Sequence, residues 1–296
     1  MAGPDLSAAT AVVAVVGDPV DHSLSPRLHN AAFAAMGLDW VSVGLPVAAD
    51  RTADALRGAS ALGIRGLSVT MPHKEMAATL VDRLGREAAR VGAVNCVAFD
   101  DGVAVGENTD GAGLVAALRR GGHFDPGGQR CLVVGAGGAG RAAVAGLADA
   151  GAVEVIVVNR TRAKAEAAAG LAGPAGRVGS VDDASACDLV VNATPLGMAG
   201  ASAGAGVDGA SVPVDPRLLH AGQWVVDLVY HPRQTPWLEA AASAGATVRN
   251  GVGMLVHQAA LQITRWTGMD VPVEVMWRVV ADEADEAGEA HDAPAS

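Results

Sequence analysis

Cysteine is scarce in this chain, with three residues among 296. Cys96, Cys131 and Cys187 are scattered and form no C-x-x-C pair, which disfavours a disulfide framework and a zinc site. We therefore expect no bound metal and a reducing, cytoplasmic environment. Long apolar runs are also lacking, since none approaches the roughly 20 residues needed to span a bilayer. Residues 1–7 contain no basic side chain, so we expect neither a membrane span nor a signal peptide.

Basic charge is in short supply as well. The formal net charge is -11, which disfavours nucleic acid as a partner because phosphate binding requires a basic surface. Part of the acidic excess lies in residues 281–296, which we interpret as a fraying helix end or a disordered tail. If the ligands are small anions, local hydrogen-bond donors must bind them despite the negative electrostatic potential of the protein as a whole.

The remaining chain alternates strand and helix patterns, which predicts an α/β fold in two parts. A Gly- and Pro-rich break at 121–128 separates them, and a bland stretch at 198–211 predicts a mobile loop. In the first part we predict strands at 12–16, 40–47, 67–70, 94–99 and 103–106 and helices at 26–36, 51–60 and 111–120. In the second part we predict strands at 130–134, 153–158, 189–192 and 224–229 and helices at 139–150, 161–171, 253–266 and 273–282.

A glycine-rich turn follows the predicted strand at 130–134. It matches G-x-G-x-x-G and opens a helix, the context in which backbone amides bind a dinucleotide pyrophosphate. The competing interpretation is a glycine-rich turn that binds nothing. The residues of the motif are Gly135, Ala136, Gly137, Gly138, Ala139 and Gly140.

The end of the next strand favours NADP over NAD. An NAD site requires a carboxylate at this position to bind the ribose 2′-hydroxyl, and the sequence has Asn159-Arg160-Thr161 instead. Arg160 can pair with a 2′-phosphate, and Lys164 lies one helical turn beyond it. Thr161 can cap the helix and also donate to the phosphate. The alternative is an exposed basic turn without a ligand.

Several polar residues near predicted strand ends are candidates for the chemistry. Ser23 and Ser25 precede a helix and can bind a carboxylate, or simply cap that helix. Lys74 is one of only two lysines, although the chain uses Arg freely, which indicates an acid/base role unless it is a chance survivor. Asp110 can position that lysine and share a proton with a substrate hydroxyl, or serve as a helix N-cap. Asn95 suits a hydroxyl ligand, or marks a strand-edge turn.

Taken together, these motifs resemble the shikimate dehydrogenase family. They occur in the family order through nearly the whole chain, with Glu107 where many relatives have Asp and Lys164 where Arg is frequent. The matching segments are SLSPRLHN at 23–30, VTMPHK at 69–74, GAVN at 92–95, GENTD at 106–110, GAGGAG at 135–140, NRT at 159–161, NATPLGM at 192–198, DLVYHPRQTP at 227–236 and GVGMLVHQ at 251–258.

The resemblance implies a substrate domain at 1–112, completed by helices at 252–285, and a Rossmann-like NADP-binding domain at 113–251. It also implies a cleft between the two and a tail at 286–296. Lys74 and Asp110 resemble the catalytic pair, which also contacts substrate. The resemblance further implies substrate binding by Ser23, Ser25, Thr70, Asn95, Tyr230 and Gln258, and cofactor contacts by Thr194, Gly251 and Met254 beside the glycine-rich turn and residues 159–164.

The activity implied is reversible reduction of 3-dehydroshikimate to shikimate by NADPH, in a monomer or homodimer without nucleic acid, membrane or metal. Two alternatives stay open. A quinate or aminoshikimate dehydrogenase would share the fold and most motifs. A regulator that binds NADP without catalysis would keep the fold but would not need Lys74 or Asp110.

Overall fold

The computed structural model describes residues 6–198 and 212–287, so the loop predicted at 198–211 lies, except for its first residue, outside the described residues. The described chain divides into two compact units. Unit 1 runs up to Thr109 and resumes at Val256, and unit 2 is Asp110–Leu255. Each unit contains its own six-stranded sheet flanked by helices. The predicted α/β class with two domains is confirmed.

The sheet of unit 1 is mixed. Its spatial order is β2-β1-β3-β5-β6-β4. The central β1 pairs in parallel with β2 and β3, while β5 and β6 form an antiparallel hairpin. The strands are β1 (Ala11–Gly17), β2 (Trp40–Pro46), β3 (Gly66–Val69), β4 (Arg83–Leu84), β5 (Cys96–Asp100) and β6 (Val103–Glu107).

The first four helices also belong to unit 1, and the short elements between residues 74 and 91 were missed by the sequence prediction. Seven residues or fewer show too little periodicity to be recognised. β5 begins at Cys96, later than predicted, because the Val94 amide donates to Lys74 O at 2.8 Å instead of joining the ladder. The helices are α1 (Ser25–Ala35), α2 (Thr52–Ala61), α3 (Lys74–Leu80) and α4 (Arg86–Val91), with a 3₁₀ turn at Ala49–Arg51.

The sheet of unit 2 is entirely parallel, in the order β12-β11-β10-β7-β8-β9. Its central strands are buried on both faces, with Val133 packing into one core and Leu132 into the other. The predicted strands at 130–134 and 189–192 are confirmed with the same bounds. The strands are β7 (Arg130–Val134), β8 (Glu154–Val158), β9 (Gly176–Val178), β10 (Leu189–Asn192), β11 (Trp224–Asp227) and β12 (Thr247–Arg249).

Two strands and one α-helix of unit 2 were not predicted. β9 and β12 are half-buried outer strands of three residues each, too short for a pattern. α8 carries a start signal that was overlooked, because Thr235 accepts the Leu238 amide at 3.3 Å and Pro236 occupies the first helical position. The helices are α5 (Asp110–Gly122), α6 (Gly138–Asp149), α7 (Arg162–Gly170) and α8 (Pro236–Ser243), with 3₁₀ turns at Gly173–Ala175, Val181–Ala186 and Pro216–Leu218.

The C-terminal helices α9 (Val252–Thr267) and α10 (Val273–Ala287) bring the chain back to unit 1. Trp266 Nε1 donates to Val97 O at 2.9 Å, and Arg265 pairs with Asp100 at 2.6 Å. A Cβ on Gly66 would overlap the Trp266 ring, so glycine is needed where α9 crosses β3. α10 extends to Ala287, two residues beyond the C-terminal helices predicted at 252–285.

Candidate functional site

Three buried polar residues of unit 1 form a cluster that we call the amide network: Asn95, Thr109 and Gln258. Asn95 Nδ2 donates to Thr109 Oγ1 at 2.9 Å and to Gln258 Oε1 at 3.2 Å. The Thr109 amide donates to Asn95 Oδ1 at 2.8 Å, and Thr109 Oγ1 donates to Gln258 O at 3.1 Å. The fold therefore brings together Asn95 and Gln258, two residues that were predicted separately as substrate binders.

Gln262 supports this network from the next turn of α9. Its side chain is fully buried, and its Nε2 donates to the carbonyl of Asn95 at 2.9 Å. The Val69 amide donates to the same carbonyl at 2.8 Å. The sequence interpretation missed both Gln262 and Thr109. The spacing of four residues from Gln258 was the signal available for Gln262, since such positions lie on one helix face.

The turn that leads into α3 is held by a buried histidine. The His73 amide donates to Thr70 O at 2.9 Å. His73 Nε2 donates to Val47 O at 2.8 Å, because a carbonyl can only accept, and Nδ1 contacts Thr52 Oγ1 at 2.8 Å. The main chain and the imidazole of His73 together fix the turn between the half-buried Thr70 and Lys74, the residue that follows His73. No pattern in the sequence singled out His73.

Lys74 is the first residue of α3 and is half-buried. Its carbonyl accepts the amide of Val94, the residue before Asn95. The start of α3 therefore lies beside the main chain that carries the amide network. The catalytic role of Lys74 stays a prediction.

Ser23 and Ser25 lie together at the start of α1. Ser25 is the first helical residue and is buried, while Ser23 is half-buried. Ser23 Oγ accepts the Ser25 amide at 3.3 Å, so this hydroxyl already satisfies one first-turn donor. A contact of this kind is expected if the serines cap the helix. Carboxylate binding by the two serines stays a prediction.

In unit 2, Asp110 is the first residue of α5 and is 2 % exposed. A Cβ on the following Gly111 would overlap Ala142 O, so glycine here lets α5 lie close against α6. This close packing fixes the helix start on which Asp110 is placed. Its pairing with substrate stays a prediction.

The glycine-rich turn between β7 and α6 has the shape of an anion cradle. Gly135 has φ +109°, a conformation that favours glycine, and a Cβ on Gly140 would overlap Gly135 O. A Cβ on Gly137 would meet no protein atom within 4 Å, so open space lies at the helix start. The amide of Ala136 donates to Asn159 Oδ1 at 3.2 Å. The turn thus fits a pyrophosphate, and its other predicted residues are Gly138 and Ala139.

The basic turn after β8 carries two cations with no ion-pair partner among the residues described. Arg160 and Lys164 are both exposed, whereas the neighbouring Arg162 pairs with Glu166 at 2.9 Å. Asn159 Nδ2 donates to Thr161 O at 3.0 Å and shapes the turn. Thr161 occupies the N-cap position of α7 but forms no side-chain capping bond, which corrects that part of the prediction.

A second buried cluster ties the ends of β10 and β11 together, and we call its members Asn192, Thr194, Asp227 and Thr235 the carboxylate network. Asp227 Oδ1 accepts Asn192 Nδ2 at 2.9 Å and the Val229 amide at 3.1 Å. Asp227 Oδ2 accepts Thr235 Oγ1 at 2.8 Å. Asn192 Oδ1 accepts the Thr194 amide at 3.0 Å and Thr194 Oγ1 at 2.6 Å. Of the four, only Thr194 was predicted as a site residue.

Asp227 is fully buried, and this burial raises the pKa of its carboxyl to about 6. Hydrogen bonds from Val229, Thr235 and Asn192 act in the opposite direction, since donors favour the charged form. The sequence signal was present, because these residues lie inside the segments 192–198 and 227–236. What the sequence does not reveal is that the two segments meet through Asp227.

The other predicted residues of unit 2 lie near the end of β11. Tyr230 is half-buried, three residues beyond Asp227. Gly251 is buried against Leu228, where a Cβ would overlap the carbonyl, and its amide donates to Val229 O at 3.0 Å. Met254 is half-buried and packs against the sheet core. Packing explains Gly251, and cofactor contact by Gly251 and Met254 stays a prediction.

Two other kinds of site are absent from residues 6–198 and 212–287. The helices of this part include none with the length and apolar character required to traverse a membrane. In the same part, His, Cys, Asp and Glu side chains do not assemble in groups of three or more that could hold a metal ion.

Three family models match successive parts of the sequence. Residues 15–97 match the shikimate dehydrogenase substrate binding domain. Residues 119–195 match the shikimate/quinate 5-dehydrogenase model, and residues 251–281 match the shikimate 5′-dehydrogenase C-terminal domain.

Relatives and solved structures matched with high coverage include shikimate dehydrogenases and a quinate dehydrogenase. The chain is 44% identical over 289 residues to the NADP(+) shikimate dehydrogenase of Methanopyrus kandleri, covering 94% of this chain and 97% of the relative. The Thermus thermophilus shikimate 5-dehydrogenase, solved with NADP(H) and shikimate, is 35% identical with a TM-score of 0.81, covering 91% and 98%. The quinate dehydrogenase of Corynebacterium glutamicum, solved with NAD, is 28% identical with a TM-score of 0.81, covering 92% and 99%.

Proposed function

Because this chain belongs to the shikimate dehydrogenase family, we propose that it catalyses the reversible, NADP-dependent reduction of 3-dehydroshikimate to shikimate. Membership rests on relatives such as the 44% identical NADP(+) enzyme, which is matched over almost its whole length. The structural observation that carries the proposal is the glycine-rich turn followed by Arg160 and Lys164, which are exposed and have no ion-pair partner within residues 6–198 and 212–287. That combination suits the pyrophosphate and the 2′-phosphate of NADP.

The cofactor would be held by elements of unit 2. The amides at the start of α6 would bind the pyrophosphate at the open space beside Gly137. Arg160 and Lys164 would bind the 2′-phosphate, since each lacks an ion-pair partner among the described residues. Thr194, Gly251 and Met254 would contact the cofactor further along. When bound, the nicotinamide ring supplies or accepts the hydride.

The substrate would be bound mainly by unit 1. Ser23 and Ser25, at the start of α1, would bind the carboxylate of shikimate. Asn95 and Gln258 would bind ring hydroxyls with side chains that the amide network already orients. Donors and acceptors held in place before binding avoid reorganisation during the reaction. We assign substrate contacts to Thr70 and Tyr230 as well.

Lys74 and Asp110 would carry the proton chemistry. As a carbonyl at C3 becomes an alcohol, charge develops on its oxygen, and the Lys74 ammonium would stabilise that charge and donate the proton. Asp110 would accept a hydrogen bond from the ammonium or from the substrate hydroxyl. Lysine suits this task better than arginine because it can release a proton near neutral pH when its surroundings assist.

We also propose the cytoplasm as the compartment. All three cysteines are buried free thiols, and burial raises the pKa of Cys187 to about 11 and that of Cys131 to about 12. Thiols that are buried and protonated are typical of proteins in reducing surroundings. A monomer or homodimer without nucleic acid stays our expectation.

The test is nicotinamide absorbance with purified protein and shikimate, run first with NADP and then with NAD. Rapid reduction of NADP is the expected result. Rapid reduction of NAD instead would contradict the assignment of Arg160 and Lys164. If neither cofactor is reduced with shikimate but turnover occurs with quinate or aminoshikimate, the chain is a quinate or aminoshikimate dehydrogenase instead. Silence with every substrate, together with intact NADP binding, would favour the regulator.

A further inference from the structure

The carboxylate network connects two loops that the proposed function places at the site. β10 and β11 are parallel neighbours, so their carboxyl ends lie at one edge of the sheet of unit 2. Asn192 is the last residue of β10 and Asp227 the last of β11, and the two are paired in register. The loop after β10 carries Thr194, and the segment after β11 carries Tyr230. A bond between the two strand ends therefore affects both segments.

We infer that Asp227 is a positioning residue, whose carboxylate holds the Thr194 loop and the main chain before Tyr230 in their working arrangement. The inference rests on the proposed function, because that function gives Thr194 and Tyr230 their roles. Asp227 itself is fully buried and is not assigned contact with substrate or cofactor.

The first arm of the network runs from Asp227 to the cofactor side of unit 2. Asp227 Oδ1 accepts from Asn192 Nδ2, which leaves Asn192 Oδ1 to accept both the amide and the hydroxyl of Thr194. The Thr194 hydroxyl in turn accepts the Leu196 amide at 3.3 Å. A Cβ on Gly135 would lie 3.1 Å from Thr194 Cγ2, so the loop packs directly against the glycine-rich turn. Loosening this arm would disturb the proposed pyrophosphate cradle.

The second arm holds the segment after β11. The Val229 amide donates to Asp227 Oδ1 at 3.1 Å, which curls the main chain immediately before Tyr230. Thr235 donates to Asp227 Oδ2 and accepts the Leu238 amide, so the start of α8 is attached to the same carboxylate. The seven residues between Asp227 and Thr235 are thus anchored at both ends.

The choice of a carboxylate follows from the donors around it. Asn192 Nδ2, the Val229 amide and the Thr235 hydroxyl all point at Asp227, and an ionised carboxylate accepts without donating. An asparagine could accept the first two through its carbonyl oxygen. Its NH₂ group would then face Thr235, whose hydroxyl can rotate to accept. Asp227→Asn should therefore preserve much of the arrangement that Asp227→Ala destroys.

The residue just before β11 provides a matched control. Gln223 lies immediately before β11, at the opposite end from Asp227, and is 1 % exposed. Like the Asp227 side chain, the Gln223 side chain takes part in three hydrogen bonds, with the amide of His220 and the carbonyls of Ala184 and Cys187. None of these partners belongs to the proposed site. Replacing Gln223 disturbs the same sheet without touching either loop.

The experiment compares wild type with Asp227→Ala, Asp227→Asn, Asn192→Ala and Gln223→Leu. Calorimetric NADP affinity, kcat, both KM values and Tm are measured on each folded protein. Asp227→Ala should lose about tenfold to a hundredfold in kcat/KM and bind NADP correspondingly less well. Asp227→Asn should recover most of that loss. Gln223→Leu should lower Tm while keeping kcat and NADP affinity close to wild type.

Asn192→Ala keeps the inference testable if Asp227→Ala does not fold, because it cuts only the arm toward Thr194. NADP affinity should then fall while the KM for shikimate changes little. Wild-type affinity for NADP in both folded variants, or an equal loss of activity in Gln223→Leu, would overturn the inference. A wild-type protein that binds NADP but does not oxidise shikimate would contradict the proposed function alone, since the NADP affinities still test Asp227.

Discussion

Each of the two units contains a buried polar cluster beside its sheet, but the clusters differ in charge. The amide network of unit 1 consists of neutral side chains, Asn95, Thr109 and Gln258. The carboxylate network of unit 2 is centred on Asp227, whose burial raises its pKa to about 6. Neutral groups are cheaper to bury once they are hydrogen-bonded, whereas a buried carboxylate requires several donors. Both networks hold nearby side chains in place, but only the carboxylate network contains an ionisable group.

The two networks also differ in how far apart their members lie along the chain. Asn95 and Gln258 are separated by 163 positions, and Asn192 and Asp227 by 35. Closing a longer loop costs more entropy, although the increase is slow. The amide network therefore forms only after α9 has returned to unit 1, whereas the carboxylate network arises within one continuous segment. The amide network thus needs residues from two distant parts of the chain, and the carboxylate network does not.

The largest expected effect tests whether proton donation depends on Lys74 of unit 1 and cofactor binding on Lys164 of unit 2. The chain has two lysines, one in each unit, which makes them a natural pair of variants. Lys74→Ala should lower kcat by about a hundredfold or more and change NADP affinity little. Lys164→Ala should weaken NADP binding by about tenfold and leave kcat nearly intact. Steady-state kinetics with calorimetry measures both.

A loss confined to KM in Lys74→Ala would contradict its catalytic role. An unchanged NADP affinity in Lys164→Ala would remove that residue from the proposed 2′-phosphate site.

A smaller effect sharpens the contrast between the two networks. Asn95→Ala and Asn192→Ala each remove a buried amide and leave its partners unpaired, which costs about 1 to 3 kcal/mol of stability per group. Asn95→Ala should raise the KM for shikimate by about tenfold or more at nearly unchanged NADP affinity. Asn192→Ala should show the opposite profile. Identical kinetic profiles at equal loss of Tm would mean that both networks serve only stability.

The smallest effect concerns pH, where the two units should respond with opposite signs. In unit 1, burial lowers the pKa of His29 from 6.5 to about 3. The unfolded chain then binds a proton that the folded chain does not, so stability is lost as pH falls below 6.5, by about 2 kcal/mol at pH 5. In unit 2, the pKa of Asp227 is raised from 3.8 to about 6. The folded form binds the extra proton, so this residue adds stability as pH falls from 6 towards 3.8.

Urea unfolding at pH 7 and pH 5 measures both contributions. His29→Leu should reduce the loss of stability on acidification, and Asp227→Asn should enlarge it, because each substitution removes one of the two opposing contributions. The expected contrast between the two units would be contradicted if neither substitution altered the difference in unfolding free energy between pH 7 and pH 5.

Much of the fold and most candidate residues could be predicted from sequence because they lie in local patterns. The parallel strands of unit 2 are continuous apolar runs, and the glycine-rich turn follows one of them. The short elements β4, β9 and β12 could not be predicted, since two or three residues carry no periodicity. α8 was predictable in principle, because Thr235-Pro236 is a helix-start signal.

The candidate site was predicted as separate residues, and its internal support was not. Asn95 and Gln258 were chosen individually, but their bond to each other depends on how α9 returns to the sheet. Gln262 and Asp227 escaped notice because their importance comes from their partners and not from a pattern around them.

The sequence alone determined the family and the α/β class and led to the proposed cofactor, since each depends on residue types at fixed local spacing. The tertiary structure decided which strand ends became neighbours, and hence that Asp227 joins Asn192 and that Asn95 joins Gln258. Backbone propensity and spacing act over a few residues, whereas strand order and helix return arise from burying apolar surface across the whole chain. The bonds that position the site therefore appear only once the core has formed.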